Sequence, residues 1–385
     1  MKLRREKAEN GGVIIDDFQT PHNMPKKESW AKRHKFPLII ISSVLGVAII
    51  VALSLLVFMP SSHEKILGAD DGDDVTNPDI VYYSHLTGRE VANKASETQA
   101  ATCIMIENSP DARPQSGLKD AGVIYEAIAE GGITRFMAIY QESKPNFIGP
   151  VRSVRLYYAH WAKPYNCSIA HAGGASDALA LIRNVANGYR DIDEFQNSSA
   201  YWRQSGRYAP HNLYTSFERL DKLNTSKGYI SSIFEGFERL DADDAPAIPD
   251  KTVSNITIKM SSALYNPVYT YDAETNTYLR SHQSGGKHFD KAQDGSLKQY
   301  APSTVVAIGV QPVSRPDSAY ANYTTTGSGT AYVFQNGSVV EGKWSRPTVD
   351  DELKLLDGNG NVILLNRGQT WISAYPNNSG SVSWN

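Results

Sequence analysis

The sequence predicts a single N-terminal transmembrane helix, an α/β N-terminal ectodomain with a mainly parallel sheet and flanking helices, and a mostly β C-terminal domain. Three observations support this fold class: an uncharged apolar run within residues 37–59, alternation of strands with helices over 101–187, and Asn-Gly hairpin signals after residue 250. The predicted segments are a disordered cytoplasmic tail at 1–36, the transmembrane helix at 37–59, an acidic linker at 60–80, the α/β domain at 81–240 and the β-rich domain at 250–385.

The apolar run at 38–59 has 22 residues and no charged side chain. At 1.5 Å per residue, a helix of that length spans a hydrocarbon core roughly 30 Å thick. A buried core helix is the alternative, but such helices rarely run so long without a charge. Neither cysteine lies near the run, so we expect the span itself, rather than a lipid-modified cysteine, to anchor the chain in the cytoplasmic membrane.

Charge is distributed unevenly along the chain. Residues 1–36 carry nine Lys or Arg and five acidic residues, whereas the whole chain has a formal net charge of −3. Excess positive charge beside a span marks its cytoplasmic side, so we expect a cytoplasmic N-terminus and an extracytoplasmic C-terminal bulk. Residues 60–385 then sum to −7, and no nucleic acid partner is expected, because that function needs a broad basic surface.

The first folded region alternates short apolar runs with helical patterns. Buried strands are predicted at 101–107, 133–141 and 167–172. Helices are predicted at 116–130, with Ser116 as the N-cap and Gly131-Gly132 at its end, and at 151–162, 177–187 and 216–223. Alternation of strands and helices favours a mainly parallel sheet with right-handed crossovers.

After a polar, proline-containing linker at 241–250, alternating apolar residues replace the helical patterns. Strands are predicted at 255–260, 268–272, 277–281, 304–310, 331–335, 338–342, 353–357 and 362–366. The fifth and sixth of these flank Asn336-Gly337, and Asn-Gly between alternating apolar residues is the strongest short-range hairpin signal. This region is therefore predicted to be all β or nearly so.

Motifs of the common catalytic and metal sites are absent from the sequence. The chain has no G-x-S-x-G elbow, Walker loop, H-E-x-x-H or C-x-x-C motif, and its nine histidines lack metal-ligand spacing, so we expect no metal and no cofactor. Its two cysteines, Cys103 and Cys167, both lie in apolar runs. A disulfide is conceivable in an oxidising compartment, but two buried free thiols are the interpretation we favour.

Polar loops follow the three predicted strands of the first region. Ligands of an open parallel sheet bind beyond the carboxyl ends of its strands, so the loops at 107–116, 149–155 and 171–176 form the candidate site. Helix N-termini favour anions, and arginine binds carboxylate or phosphate through two parallel hydrogen bonds. The candidate ligand-binding residues of these loops are Arg113, Gln115, Arg152, Ser153, Arg155, His171, Gly173 and Gly174.

A purely structural role for these arginines is the alternative. They would then pair with nearby carboxylates such as Glu107 and Asp111 and tie the loops together. Glu126 and Glu130 are four residues apart and would share a helix face, which suggests a hydrolase with two carboxylates. Such a helix places Glu130 at the edge opposite the arginine loops, so we expect Glu130 to pair with Arg135 instead.

Several short motifs occur in a fixed order along residues 80–380. They are 113–118 (RPQSGL) with 125–126 and 130–135, then 149–155 (GPVRSVR), 171–174 (HAGG), 210–214 (PHNLY), and 329–344 with 368–372 (GQTWI). These motifs resemble the YerB-type family of bacterial cell-envelope proteins, a two-part domain of unknown function. The resemblance implies a protein tethered outside the cytoplasmic membrane, with a transmembrane span in place of the lipidated cysteine of many members. It adds Arg207, His211 and Asn212 to the candidate ligand-binding residues and implies no reaction.

Three functions are compatible with these features. The leading hypothesis is a membrane-tethered envelope protein that binds a cell-wall glycan or a small anionic ligand in an arginine-lined crevice of the α/β domain. The second is an envelope hydrolase acting on cell-wall polymer, with His171 or His211 as general acid or base and the arginines stabilising negative charge. The third is a scaffold that binds other envelope proteins, which would need an exposed apolar patch.

Overall fold

The computed structural model describes residues 80–241, 252–314 and 319–385. The predicted cytoplasmic tail, the predicted transmembrane helix and nearly all of both predicted linkers lie outside the described residues. Within the described ranges, no helix combines the length and the apolar character that crossing a membrane requires. The transmembrane helix of the predicted fold class therefore has no counterpart in the described part of the chain.

Twenty strands and four α-helices make up the part of the chain that the structure describes. The helices are α1 (Lys94–Glu97), α2 (Leu156–Ala162), α3 (Ser176–Arg183) and α4 (Phe217–Ser226). The strands before residue 241 are β1 (Tyr82–Tyr83), β2 (Glu90–Val91), β3 (Thr102–Glu107), β4 (Val123–Glu130), β5 (Ile133–Tyr140), β6 (Ser168–His171), β7 (Arg190–Asp193), β8 (Tyr201–Arg203) and β9 (Leu213–Thr215). Those after it are β10 (Asn255–Lys259), β11 (Pro267–Asp272), β12 (Thr277–His282), β13 (Phe289–Lys291), β14 (Leu297–Gln299), β15 (Thr304–Val310), β16 (Gly327–Gln335), β17 (Ser338–Arg346), β18 (Lys354–Leu356), β19 (Thr370–Pro376) and β20 (Ser381–Trp384).

Ten strands from both regions form one mixed sheet, in the order β18-β17-β16-β15-β19-β4-β5-β3-β6-β7. β5 pairs antiparallel with both β3 and β4, whereas β3, β6 and β7 pair in parallel. The prediction of an α/β domain with a mainly parallel sheet is therefore wrong. The fold is mostly β, with a large mixed sheet and few helices.

The largest local error is the helix predicted at 116–130. The structure has a short 3-10 turn at Leu118–Asp120 and then strand β4. Both faces of β4 are covered, so its residues lack the alternation of apolar and polar side chains that a half-exposed strand shows. The spacing of its apolar residues therefore matched the pattern of an amphipathic helix. Gly131 and Gly132 have φ angles of +54° and +78° and form the hairpin turn between β4 and β5 instead of ending a helix.

Buried side chains cover both faces of the ten-stranded sheet. One face packs Tyr125 of β4 and Trp161 of α2 in the same cluster as Val306 of β15. The opposite face packs Phe136 of β5 in the same cluster as Trp371 of β19. A third cluster fills the space between β15 and a four-stranded sheet of order β12-β11-β10-β20. Both sequence regions thus contribute strands to one sheet and side chains to the clusters on its two faces, and the predicted domain boundaries stay a prediction.

The second region contains two of the hairpins that its sequence predicts, whereas the strand predicted at 362–366 is wrong, because that segment forms only isolated bridges. β16 and β17 meet at Asn336 and Gly337, whose φ angles of +54° and +65° fit a two-residue type I′ turn. β11 and β12 also pair antiparallel, with Asn276 in the left-handed region between them. Sequence reasoning misses β19, which is buried along its whole length between β15 and β4 and so lacks alternation.

The two cysteines form a disulfide. Cys103 in β3 and Cys167 just before β6 are bonded, and both side chains are buried. β3 and β6 are parallel neighbours, which brings residues 64 positions apart to adjacent places in the sheet. The two free thiols favoured from the sequence are therefore wrong, because the pairing of β3 with β6 cannot be derived from the spacing of the cysteines.

Candidate functional site

A cleft of about 510 Å³ opens at the carboxyl ends of β3 and β6. The segment 151–154 enters between the two strands at this point. The backbone N–H of Arg152 donates to the carbonyl of Met105 at 2.8 Å, and that of Ala172 donates to the carbonyl of Arg152 at 3.1 Å. The residues that line the cleft are Val151, Arg152, Ser153, Ala172, Gly173, Gly174, Leu179, Arg183, Phe195, Arg203 and Pro210.

Arg152 reaches the cleft from the inserted segment, with 26% of its side chain exposed. Its Nε lies 3.4 Å from Oε2 of Glu107, the last residue of β3, whose side chain is 4% exposed. Neither this nitrogen nor this oxygen has a hydrogen-bond partner within the described ranges. Glu107 does not line the cleft, so its carboxylate attracts the guanidinium group from the protein side.

Arg183, the last residue of α3, is held in a similar way. Its Nη2 donates to Oδ2 of Asp193 at 2.6 Å, and its Nε lies 3.7 Å from Oδ2 of Asp191. Burial raises the pKa of Asp191, but the hydrogen bond and charge of His171 outweigh it, so the pKa of this carboxyl is lowered. Asp191 is therefore ionised at neutral pH and orients Arg183 without lining the cleft.

His171 ends β6 and lies fully buried below the cleft. Its Nδ1 is 2.8 Å from the carbonyl oxygen of Gly173, and its Nε2 is 2.9 Å from Oδ1 of Asp191. A carbonyl oxygen and an ionised carboxylate both accept hydrogen bonds, so each ring nitrogen of His171 faces an acceptor. His171 therefore ties the Gly173 turn to Asp191 beneath the cleft, and its predicted catalytic role stays a prediction.

The glycines after β6 allow the chain to turn tightly at the cleft. Gly173 has a φ of +59°, and its N–H donates to Oδ1 of Asp193 at 2.9 Å. A Cβ placed on Gly174 would lie 2.9 Å from the carbonyl oxygen of Val154. Only glycine at this position lets the turn approach the inserted segment so closely.

The β8–β9 hairpin supplies the third arginine. Arg203 ends β8, and its Nη1 donates to Oδ1 of Asn212 at 3.3 Å. Asn212 also donates to the carbonyl of Arg207 at 3.1 Å, which stiffens the hairpin. Phe195 lines the cleft with 73% of its surface exposed. Three guanidinium groups, those of Arg152, Arg183 and Arg203, thus converge with one aromatic ring; we call them the three cleft arginines.

His211 lies against the carboxylate of Glu107 that also pairs with Arg152, but at the other carboxylate oxygen. Its Nδ1 lies 2.9 Å from Oε1 of Glu107, which also accepts from the Ser109 hydroxyl at 2.9 Å. Its Nε2 lies 4.0 Å from Oδ2 of Asp111, an exposed side chain. Glu107 is therefore shared between a guanidinium group at the cleft and a histidine that is 24% exposed.

Arg113 and Gln115, two of the predicted ligand-binding residues, join the first loop to the second region. Nη2 of Arg113 donates to the carbonyl of Leu264 at 2.9 Å, and its guanidinium carbon lies 5.3 Å from the centre of the Tyr265 ring. Burial lowers the pKa of Arg113 to about 10. Gln115 is fully buried and bonds to His288 at 2.8 Å. Neither residue lines the cleft.

Arg155 and Arg207 also lie outside the cleft lining. Arg155 forms an ion pair with Glu130, which binds Arg135 at 2.7 Å as well. Burial raises the pKa of Glu130, but these two guanidinium groups outweigh it and lower the pKa. The expected pairing of Glu130 with Arg135 is present, although Glu130 ends a strand. Arg207 donates to two carbonyls of the loop at 110–114 and holds that loop against the hairpin.

Sequence reasoning misses the other two arginines of the cleft, Arg183 and Arg203, and its aromatic ring, Phe195. Arg183 lies inside a predicted helix, and Arg203 lies in a stretch without a predicted strand, so neither follows a strand end. A usable signal was the pair Asp191 and Asp193 in the short strand β7. Acidic residues on an edge strand beside β6 require cationic partners, and Arg183 supplies one.

Comparison with known families decides how the chain is classified. The family model described as "Protein of unknown function (DUF3048) N-terminal domain" matches residues 86–230, and the model of its C-terminal domain matches residues 256–372. The chain belongs to this family. The family resemblance inferred from the motifs is therefore confirmed, and all lining residues of the cleft fall within the N-terminal domain of the DUF3048 family.

Relatives from Bacillus subtilis are similar in sequence and in structure. The protein named "Putative lipoprotein YerB" of strain 168 is 29% identical over 293 residues, which cover 76% of this chain and 85% of that protein. A crystal structure of YerB from Bacillus subtilis matches with a TM-score of 0.66 and 24% identity, over 78% of this chain and 99% of that chain. The structural match supports the fold alone, and it agrees with a DUF3048 chain that is mostly β.

Proposed function

We propose that the chain is an extracytoplasmic protein of the bacterial envelope that is held at the membrane. The name of its Bacillus relative includes the word lipoprotein, and its family resemblance is to envelope proteins. The buried disulfide of Cys103 and Cys167 supports this location, because disulfides form and persist in oxidising compartments. Protease added to wall-stripped cells should degrade residues 80–385 and leave a cytoplasmic marker intact, and protection of both would contradict the location.

We further propose that the cleft binds an anionic ligand through the three cleft arginines. The observation that carries this proposal is the position of the carboxylates. Glu107, Asp191 and Asp193 lie behind the guanidinium groups, and none of the described residues that line the cleft is acidic. The carboxylates therefore fix Arg152 and Arg183 in place, while Arg203 is held by Asn212. All charged side chains among the described residues that line the cleft are guanidinium groups, and they lie among apolar residues and glycines.

The chemistry of the lining limits the ligand class. A guanidinium group offers planar pairs of N–H donors that match the oxygens of phosphate or carboxylate. A volume of about 510 Å³ lies in the usual range for a small ligand or one segment of a polymer. The exposed ring of Phe195 adds an apolar surface beside the charged groups. We therefore propose an envelope ligand that bears phosphate or carboxylate groups.

Binding of inorganic phosphate tests the site. Phosphorus NMR and the phosphate-dependent rise in melting temperature are measured on the full chain at constant ionic strength. Arg152→Ala and Arg203→Ala should each weaken binding about tenfold or more, because a charge-assisted hydrogen bond contributes roughly 1.5–3 kcal/mol. Arg152→Lys should weaken binding nearly as much as Arg152→Ala, since lysine lacks the paired donors.

The control is Arg89→Ala, which removes an exposed arginine that does not line the cleft. Its phosphate affinity should equal that of the unmodified chain. An equal loss of phosphate affinity in the control and in the Arg152 variants would show that phosphate binding depends on net charge alone. Unchanged binding in both cleft variants would show that the cleft is not the anion site.

A further inference from the structure

A second and larger cavity, of about 780 Å³, shares no lining residue with the arginine cleft. One of its walls is formed by residues 233–238, which lie between the two segments that the family models match. The other wall comes from residues 345–363, within the C-terminal domain of the family. We call this cavity the junction groove, and its volume is large enough for a ligand or a short segment of a partner.

Hydrogen bonds to the backbone hold the two walls of the junction groove together. The N–H groups of Glu235 and Gly236 donate to the two carboxylate oxygens of Glu352, at 2.7 and 2.6 Å. Gly236 has a φ of +75°, and a Cβ at this position would collide with the carbonyl oxygen of His85. The groove is therefore formed before any partner binds, which lowers the entropic cost of binding.

The floor of the junction groove is apolar, and one rim presents an exposed isoleucine. Phe234, Phe237 and Leu353 line the groove and are nearly buried. Ile233 also lines it, with 73% of its surface exposed, and Ile230, three residues earlier, is 69% exposed. Apolar surface that lies beside charged residues and stays open to solvent is typical of protein–protein contact sites.

Carboxylates dominate the charge of the junction groove. The acidic residues that line it are Glu235, Glu238, Asp350, Asp351 and Glu352. By contrast, Lys354 is the only lysine or arginine among the described residues of its lining. Glu235 and Glu238 are exposed and form no ion pair within the described ranges. Asp350 is also exposed, and its Oδ1 lies 3.9 Å from Nζ of Lys163. The groove thus repels anions and presents carboxylates that a cationic partner can reach.

The positions of these carboxylates favour an extended cationic partner over a single ion. Nowhere in the described part of the chain do three acidic, histidine or cysteine side chains come together in a way that could hold a metal ion. The exposed carboxylates are instead divided between the walls, with Glu235 and Glu238 on one and Asp350 on the other. A peptide segment that carries cations between apolar side chains matches both the divided carboxylates and the apolar floor.

We propose that the junction groove is a docking surface for a segment of another envelope protein in which lysine or arginine alternates with apolar residues. The apolar side chains of this segment pack on Phe234, Leu353 and Ile233, and its cations face the exposed carboxylates of the rim. The proposal uses no residue of the arginine cleft, so anion binding and peptide docking can fail separately.

Binding of a fluorescein-labelled peptide, Leu-Lys-Leu-Lys-Leu, to the full chain tests the proposal. Fluorescence anisotropy should show saturable binding, and Leu-Glu-Leu-Glu-Leu should bind at least about tenfold more weakly, because like charges repel across an interface. Carbodiimide couples an amine to a carboxylate that it touches. Mass spectrometry should therefore find the lysine of the peptide joined to Glu235, Glu238 or Asp350, and crosslinks confined to acidic residues outside the groove would overturn the proposal.

A charge variant and a matched control separate docking from general attraction to an acidic protein. Glu235→Gln/Glu238→Gln should weaken binding of the lysine peptide roughly three- to tenfold, because exposed ion pairs contribute little each. Glu274→Gln/Glu341→Gln removes the same charge from exposed residues outside the groove and should leave the affinity unchanged. Equal losses in the two double variants would overturn the proposal.

An apolar variant tests the other half of the contact. Ile233→Ser should weaken binding of the lysine peptide about tenfold, because an aliphatic side chain that becomes buried in the complex is lost. Leu297→Ser changes an exposed apolar residue outside the groove and should have no effect. Spermidine that binds as tightly as the peptide would assign the groove to a small polyamine. Self-association of the chain that Ile233→Ser abolishes would assign it to a second copy, and either result overturns the peptide partner.

Discussion

Glu126 and Arg280 form a fully buried ion pair between the two sequence regions, and its removal tests whether these regions fold as one unit. Glu126 belongs to β4 and Arg280 to β12, and both side chains are 0% exposed. Nη2 of Arg280 donates to both carboxylate oxygens, at 2.9 and 3.1 Å. The guanidinium group also lies 4.5 Å from the centre of the Trp371 ring. The negative charge of Glu126 therefore compensates a cation that is shielded from water.

Glu126→Gln leaves the guanidinium group of Arg280 buried without its counter-charge. Removal of one partner of a buried pair costs about 3–5 kcal/mol, because the remaining ion keeps its desolvation penalty. For a folded body of this size, 1 kcal/mol corresponds to about 2 °C in melting temperature, so Tm should fall by roughly 6–10 °C. The Arg280→Met/Glu126→Leu double variant removes both charges and should recover part of that loss.

The assay is thermal unfolding of the purified chain, followed both by circular dichroism and by tryptophan fluorescence. Because both regions share one sheet, the two signals should give a single, coincident transition that moves to lower temperature in Glu126→Gln. The control is Glu218→Gln, which breaks an exposed pair with Lys222 and should leave Tm unchanged. A change below 2 °C in Glu126→Gln, or two separate transitions in the unmodified chain, would refute the reasoning.

Three further predictions concern the disulfide, one buried acid and one arginine outside the cleft. Reduction of the Cys103–Cys167 bond, whose residues are 64 positions apart, should lower the free energy of unfolding by about 4 kcal/mol in urea titrations, and equal stability with and without reductant would contradict a formed disulfide. Burial raises the pKa of Asp290 to about 6, so its contribution to stability is present below pH 4 and lost as the pH rises to 6. Asp290→Asn should therefore gain up to about 3 kcal/mol relative to the unmodified chain between pH 4 and pH 7, and a pH-independent difference would exclude this origin. Arg155→Ala should lower Tm by several degrees and keep phosphate affinity within a factor of two, whereas loss of binding would place Arg155 in the site.

Elements fixed by local chemistry could be predicted from the sequence, and elements fixed by distant neighbours could not. The turn at Asn336-Gly337 requires left-handed backbone at both positions, so the β16–β17 hairpin is encoded within a few residues. β4 and β19 pair with each other although they are more than 240 residues apart in sequence. Burial on both faces removes the alternation of apolar and polar residues that identifies a strand. The sequence of β4 therefore predicted a helix, and β19 was not predicted at all.

The same division applies to the candidate site. Arg152, Ser153, Gly173 and Gly174 were predicted from the loops after strands, and all four line the cleft. Whether an arginine in such a loop faces a ligand or a backbone carbonyl depends on which distant segments of the chain pack against the loop. Arg113, for example, is occupied by the carbonyl of Leu264, which lies 151 positions away. Residue type and strand-end position therefore located the cleft but could not separate its lining from the arginines that tie loops together.

The location of the cleft follows from a local feature of the sheet and not from its overall class. Only β3, β6 and β7 need to be parallel for their carboxyl ends to meet at one edge, and these three strands are adjacent. The inserted segment at 151–154 then fills the gap between β3 and β6, bonded to Met105 on one side and to Ala172 on the other. Ligand sites of parallel sheets form at such a crevice because the strands cease to pair there. The strand-end rule thus identified Arg152 although the prediction of a mainly parallel sheet was wrong.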